Sequence, residues 1–303
     1  MTFQFNYKDT LAAAERVHWR VEDLIGGDKM LDFGRPFLPE VYARTSGLAF
    51  LSAHERMVLN QIRGHNYLYL FGLVEEFILP FVLDHARPHL SGDSYRVRAL
   101  LQFATEEAKH IHLFRSFRED FLRRFGTDVD VIGPPEEIAA AVLAHDPLSV
   151  AMVILHLEWM SQAHYVGSIR DDGRLCPQFK SLLKHHWMEE SQHAKLDTLM
   201  VEGLAQGRDS ASLAEAVEGY LAIGGLLDGG LKHQVDFDLD ALQRATGCLM
   251  SGDERAEAAS VQHQAMRWTF LGVGMTHPNF LATLGGIDPA LRARVEAVSP
   301  AFC

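Results

Sequence analysis

Two copies of Glu-x-x-His stand 83 residues apart in this chain, Glu107 with His110 and Glu190 with His193. A three-residue spacing brings both side chains to one face of a helix. Around the first copy that face is built from Leu100, Phe103, Ala104, Ile111 and Phe114, all core material. A carboxylate in such company is costly to ionise unless a cation compensates it. Each motif is also preceded, 32 residues earlier, by another Glu in an apolar run. These are Glu158, within Ile154-Leu155-His156-Leu157-Glu158-Trp159-Met160, and Glu75, within Phe71-Gly72-Leu73-Val74-Glu75-Glu76-Phe77-Ile78. One Glu from each of two helices and a Glu-x-x-His from each of the other two is the plan of a di-metal site inside a helical bundle. Oxygen-rich ligands with some imidazole suit iron or manganese better than metals that seek thiolate.

The first helix offers two adjacent candidates. Glu75 fits the 32-residue repeat and shares an apolar stripe with Leu68, Phe71, Ile78 and Val82, whereas Glu76 is followed by an aromatic residue as Glu158 is. One of the two is expected to bind metal. His186 lies four residues before Glu190, on the same face, and joins the candidate set. Asp197, four after His193, either holds that imidazole by its other ring nitrogen or faces solvent. Lys109, His112, His156, His164 and His185 fall on other faces and are read as solvated or as satisfied core contacts.

Apolar residues recur at three- and four-residue intervals nearly throughout, which predicts an all-α protein. Four core helices are expected at about 61–85, 94–125, 147–170 and 177–206. Asp93 or Ser94 caps the second and Gly126 follows its end; Asp146-Pro147 and Cys176-Pro177 open the third and fourth. Further helices are expected at 11–25, 211–227 and 256–273, with a longer connection at Gly133-Pro134-Pro135. A single domain over 1–303, with a bundle core at about 61–206, is the simplest organisation.

A formal charge of -12 argues against a nucleic-acid or anionic-membrane partner, either of which favours a basic face. The three cysteines, Cys176, Cys248 and Cys303, form no CxxC and suggest neither a zinc ribbon nor a disulfide scaffold. No basic segment followed by an apolar run opens the chain, and no stretch of about 18 apolar residues is found, so a cytoplasmic protein without a membrane span is expected.

With His186, Glu190 and His193 forming His-x-x-x-Glu-x-x-His, the chain resembles the p-aminobenzoate N-oxygenase family of ferritin-like non-haem di-iron oxygenases. The resemblance spans about residues 61–206 and rests on ligand order and spacing. It implies a ferritin-like four-helix bundle holding two iron ions, with manganese as an alternative. Glu107, His110, His186 and His193 would anchor the ions, and Glu75 or Glu76, Glu158 and Glu190 would complete and bridge them. It implies a monooxygenase that takes dioxygen, a small-molecule substrate such as an aryl amine, and an electron donor. Trp159, Met160, Tyr165, Phe77 and Phe103 are candidates to line an apolar pocket. The rival reading is a ferroxidase or iron-storing bundle without an organic substrate. About 100 residues beyond the fourth helix argue against it, since they are available to close a pocket or to build a homodimer interface, for instance through Arg267-Trp268-Thr269-Phe270. A bundle whose buried Glu and His form only a polar network ranks last, because its carboxylates would all need partners without a cation.

Overall fold

The computed structural model describes residues 5–303. Helix α1 (Tyr7–Ala14) and the single turn α2 (Glu40–Ala43) precede the long α3 (Ala53–Ala86). Then come α4 (Ser94–Phe125), the short α5 (Pro135–Leu143), α6 (Pro147–His164) and α7 (Pro177–Ala205). The C-terminal part comprises α8 (Ser210–Thr246), α9 (Gly252–Arg267), α10 (Val273–Met275), α11 (Pro278–Ile287) and α12 (Pro289–Val298). Among the described residues there is no strand, only an isolated bridge between Gly26 and Lys29. The protein is all-α, with a four-helix core of α3, α4, α6 and α7 and additional helices around it. Within that core α3 packs along α4 and α6 along α7, while α4 and α7 meet across the seam between the pairs.

Local chemistry sets the helix ends. Ser52 and Glu55 form a reciprocal capping box that starts α3 at Ala53, earlier than the expected 61, because the cap and not the apolar stripe decides where the first turn forms. Asp93 Oδ1 accepts from the Tyr95 N–H at 2.9 Å and Gly126 closes α4 at φ 79°. Asp146 caps α6 ahead of Pro147. The expected 147–170 helix is α-helical to His164 and then widens into a π turn, Tyr165–Ile169. A second π turn, Trp268–Gly272, interrupts the expected 256–273 helix.

Other expectations are corrected. The 11–25 helix stops at Ala14, because the chain must turn to lay Trp19 against His110 and Lys109; only a 3-10 turn, Val21–Asp23, follows. The 211–227 helix runs on to Thr246, through Gly229 and Gly230. Gly230 serves close packing, since an added Cβ there would meet the Ile132 side chain at 3.1 Å. Helix α3, with its continuation to His89, is long and apolar enough by composition to cross a membrane, which the sequence reading missed. It is 61% buried over that window and carries Arg63, His65 and Glu75 inward, the pattern of a core helix.

The loop before α3 is pinned to it. Asn60 Oδ1 accepts from the Phe37 and Leu38 N–H groups at 2.7 and 3.1 Å, and its amide donates to the Leu38 carbonyl at 2.8 Å. Phe37 then lies against Gly64, where an added Cβ would meet Phe37 Cβ at 2.6 Å. Gly64→Ala is expected to lower stability by about 1–3 kcal/mol through overpacking. A denaturant midpoint equal to that of the unaltered chain would show that the loop can give way.

Candidate metal centre

All four core helices contribute to one buried cluster. Glu75 comes from α3, Glu107 and His110 from α4, Glu158 from α6, and His186, Glu190 and His193 from α7. Each of the seven is at most 3% exposed. Glu190 Oε1 sits near the middle, 3.1 Å from His110 Nδ1, 3.2 Å from His186 Nε2 and 3.3 Å from His193 Nδ1. Glu75 Oε1 reaches His186 Nε2 at 3.2 Å on one side, and Glu107 Oε1 reaches His193 Nδ1 at 2.8 Å on the other. Two four-residue groups result, Glu75, His110, His186, Glu190 and Glu107, His110, Glu190, His193. Within each, one ligand atom per residue lies within 4.8 Å of all the others. The described residues therefore include a buried Glu/His group able to hold two metal ions.

The outward sides of the two motif imidazoles explain how they are aimed. His110 Nε2 meets Glu189 Oε2 at 2.9 Å, and His193 Nε2 meets Glu106 Oε2 at 2.9 Å. The carboxylates are exchanged between helices: the residue before Glu190 holds the imidazole on α4, and the residue before Glu107 holds the one on α7. Glu189 also takes a bond from Lys109, whose ammonium lies over the Trp19 ring at 3.9 Å, and Glu106 accepts from Gln102 Nε2 at 2.8 Å. With the proton on Nε2, each ring turns the Nδ1 lone pair inward.

That orientation tests whether cations fit. Glu75 Oε2, both Glu107 oxygens, Glu158 Oε2, Glu190 Oε1 and the Nδ1 atoms of His110 and His193 are buried without a hydrogen-bond partner. Lone pairs therefore face lone pairs at about hydrogen-bond distance, a repulsive arrangement that a shared cation relieves. The same field shows in the titrations. Against the pull of burial, Glu189, Glu75 and Glu190 raise His110 to about 9, and Glu190 and Glu106 raise His193 well above the usual imidazole range. Burial, reinforced by Glu190, pushes Glu158 well above the usual carboxylate range. Burial also opposes ionisation of Glu190, yet His186 and His193 hold it well below that range. The donor set is built for positive charge at its centre.

Glu76 lies elsewhere. It pairs with Arg115, and its side chain is 28% exposed, so of the two adjacent candidates the structure brings only Glu75 into the cluster. Asp197 is buried, but Glu106 holds His193 instead, and neither Asp197 oxygen has a hydrogen-bond partner. The missed residues, Glu106 and Glu189, had a signal: both motifs read Glu-Glu-x-x-His, so the repeat includes the residue before the candidate ligand. Lys109 is likewise more than a solvated face residue. His156 and His164 are core contacts, bonded to Tyr220 Oη at 2.7 Å and Tyr67 Oη at 2.8 Å, and His185 Nδ1 meets the Ser181 carbonyl at 2.7 Å.

An open cavity of about 1110 Å³ is bordered by Trp159 and Thr198, which follow Glu158 and Asp197 in the chain, and none of the seven cluster residues lines it. Tyr7, Arg96, Glu202 and Thr283 also line it. Of the five expected pocket residues only Trp159 borders it. Phe77, Phe103, Met160 and Tyr165 are buried core, with Phe103 stacked on His193 at 4.1 Å. The 267–270 stretch is largely used within the chain: Arg267 pairs with Asp228, and Thr269 and Phe270 are buried.

No protein-family model matches this sequence, and none of the curated proteins matches it. Solved structures with similar helix arrangement include point mutants of an R2-like ligand-binding oxidase. One, with an aerobically reconstituted Mn/Fe cofactor, is 13% identical at a TM-score of 0.47, covering 89% of this chain and 93% of that one. Another, with an anaerobically reconstituted Mn/Fe cofactor, is 14% identical at 0.47, covering 89% and 94%. A third, with an aerobically reconstituted Fe/Fe cofactor, is 14% identical at 0.45, covering 86% and 93%. The likeness carries neither a cofactor nor a reaction to this chain.

Proposed function

We propose that this protein is a dioxygen-activating di-metal oxidase that oxidises a small organic substrate, with Glu75, Glu107, His110, Glu158, His186, Glu190 and His193 as its metal ligands. The observation that carries the reading is the inward-facing set of unpartnered carboxylate oxygens and imidazole nitrogens, completely buried and shared by four helices. Two iron ions, or manganese in place of iron, fit that donor set. Redox-active ions bound there would supply electrons to dioxygen. The chain's own part is to hold them. His110 and His193 are fixed by Glu189 and Glu106, Glu190 is common to both positions, and His186 adds a third imidazole on the Glu75 side.

The finer reading is N-oxygenation of an aryl amine. His186 supports it, since it completes the His-x-x-x-Glu-x-x-His pattern, and so does an open cavity bordered by Trp159, the residue after Glu158, which stacks on His277 at 5.1 Å. Such a cavity is of the size that takes a small organic molecule. Ferrous loading under anaerobic conditions, followed by oxygen and a panel of aryl amines, tests this. Uptake of about two ions per chain and a product heavier by oxygen at nitrogen are expected. Uptake of many ions per chain with no organic product would instead make the protein a ferroxidase.

The exchanged carboxylates give a second expectation. Glu106→Gln and Glu189→Gln should each weaken metal binding about 10–100-fold, because the imidazole loses its fixed tautomer and some basicity. Competition with a chromogenic chelator reads this directly. Unchanged affinity would mean that ring orientation is set by packing alone.

A further inference from the structure

Tyr67 and His164 form a buried pair that the proposed oxidation leaves unused. Tyr67 is 3% exposed and His164 1%, and the phenol oxygen lies 2.8 Å from His164 Nδ1. Tyr42 covers the imidazole with ring centroids 4.3 Å apart, so no water competes on that side. Burial pushes His164 down to about 3, which keeps the imidazole neutral and able to accept. The phenol is connected to the cluster by rings: Tyr67 to Phe71 at 4.6 Å, and Phe71 to His186 at 5.5 Å, edge on. Tyr67, Phe71 and Glu75 occupy successive turns of α3. The two π turns also meet here, since His164 precedes Tyr165–Ile169 and Phe270 of Trp268–Gly272 touches Tyr67 at 5.6 Å. Such interruptions of an α-helix recur at functional sites.

A second tyrosine–histidine pair shows what the contacts add. Tyr220 Oη lies 2.7 Å from His156 Nδ1 and is equally buried. Its ring contacts are to His156 and Phe280, neither of which belongs to the cluster. The first pair has a route to a ligand imidazole, and the second is packing.

We propose that Tyr67 and His164 act as a proton-coupled one-electron relay to the metal centre. The inference rests on the di-metal reading above. The oxidant is the centre after it has reacted with dioxygen without substrate. One electron leaves the Tyr67 phenol for the centre, which is reduced by one electron. The phenolic O–H bond breaks, and its proton passes to His164 Nδ1. An oxidised phenol is a far stronger acid than any imidazolium, so the transfer runs in this direction even for a buried imidazole. The products are a neutral tyrosyl radical and an imidazolium. An electron from the one-electron donor that also serves the metals, with the proton returned from His164, restores the pair. The relay thus drains an oxidised centre that has no substrate to attack.

The test is freeze-quench electron paramagnetic resonance, with absorbance, on iron-loaded protein mixed with oxygen and no substrate, metal content being measured on the same samples. A neutral tyrosyl radical is expected in the unaltered chain and in Tyr220→Phe. It should be lost in Tyr67→Phe, with metal content and helicity retained. His164→Gln, which keeps a hydrogen-bonding group but no base, should lose it too. An oxidised, fully loaded centre with no radical overturns the relay while leaving the di-metal reading intact, and so does a radical that survives Tyr67→Phe. Absence of stoichiometric metal overturns both, since the relay then has no oxidant.

Discussion

Glu190→Ala should bind less than one metal ion per chain where the unaltered protein binds about two. The reason is geometric. Glu190 Oε1 lies within 3.3 Å of all three imidazoles and belongs to both ligand groups, so its removal leaves neither position a shared anion. Variants at the two ends should behave differently. Glu75→Ala and His186→Ala take ligands from one group only, and Glu107→Ala and His193→Ala from the other, so each should retain about one ion. Elemental analysis after anaerobic ferrous loading and desalting reads the whole series. If Glu190→Ala kept two ions while an end variant lost both, the sharing inferred from the geometry would be wrong. Helicity should be retained throughout, because the site lies among long helices whose caps are remote from it.

Asp238→Ala should cost about 3–5 kcal/mol of stability, far more than a surface change. Asp238 on α8 is inaccessible and stands 3.8 Å from the Arg63 guanidinium on α3, itself 2% exposed. Asn66 and Gln234 each donate to the carboxylate at 3.0 Å, while Arg63 also reaches the carbonyl and Oε1 of Gln262 on α9 at 3.3 and 3.2 Å. Burial pushes Asp238 up to about 6, and Arg63 opposes that shift. Removing the acid leaves a cation in the core with neutral partners only. Replacing both, as Arg63→Leu with Asp238→Leu, should cost less than the single change, because no lone charge remains. Denaturant midpoints of the two proteins decide the matter. A single variant more stable than the double one would show that Gln262 alone can satisfy the guanidinium.

Much of the site was legible because helical geometry is local. A three-residue spacing places Glu and His on one face whatever the surroundings, and the 83-residue repeat carried that placement to a second helix. Apolar neighbours marked Glu75 and Glu158 as inward, and both are 2% exposed. The helix ends at Ser94, Phe125, Pro147 and Pro177 were likewise written in their caps. Features that depend on what lies opposite were not. Glu106 and Glu189 read as ordinary helix residues, since their partners lie 87 and 79 positions away on the other motif helix. The choice between Glu75 and Glu76 turned on Arg115, on the neighbouring α4. The run of α8 past 227 was not legible either, since Gly230 lies close against the Ile132 side chain, which only packing brings near.

The sequence by itself therefore determined the helices, the inward face of each and the donor types that meet at the centre, because those follow from periodicity and local cost. Only the tertiary structure decided which carboxylate fixes which imidazole, where the cavity opens and which tyrosine stands in line with a ligand. Each of those is a distance between residues far apart in the chain, set by how the helices pack.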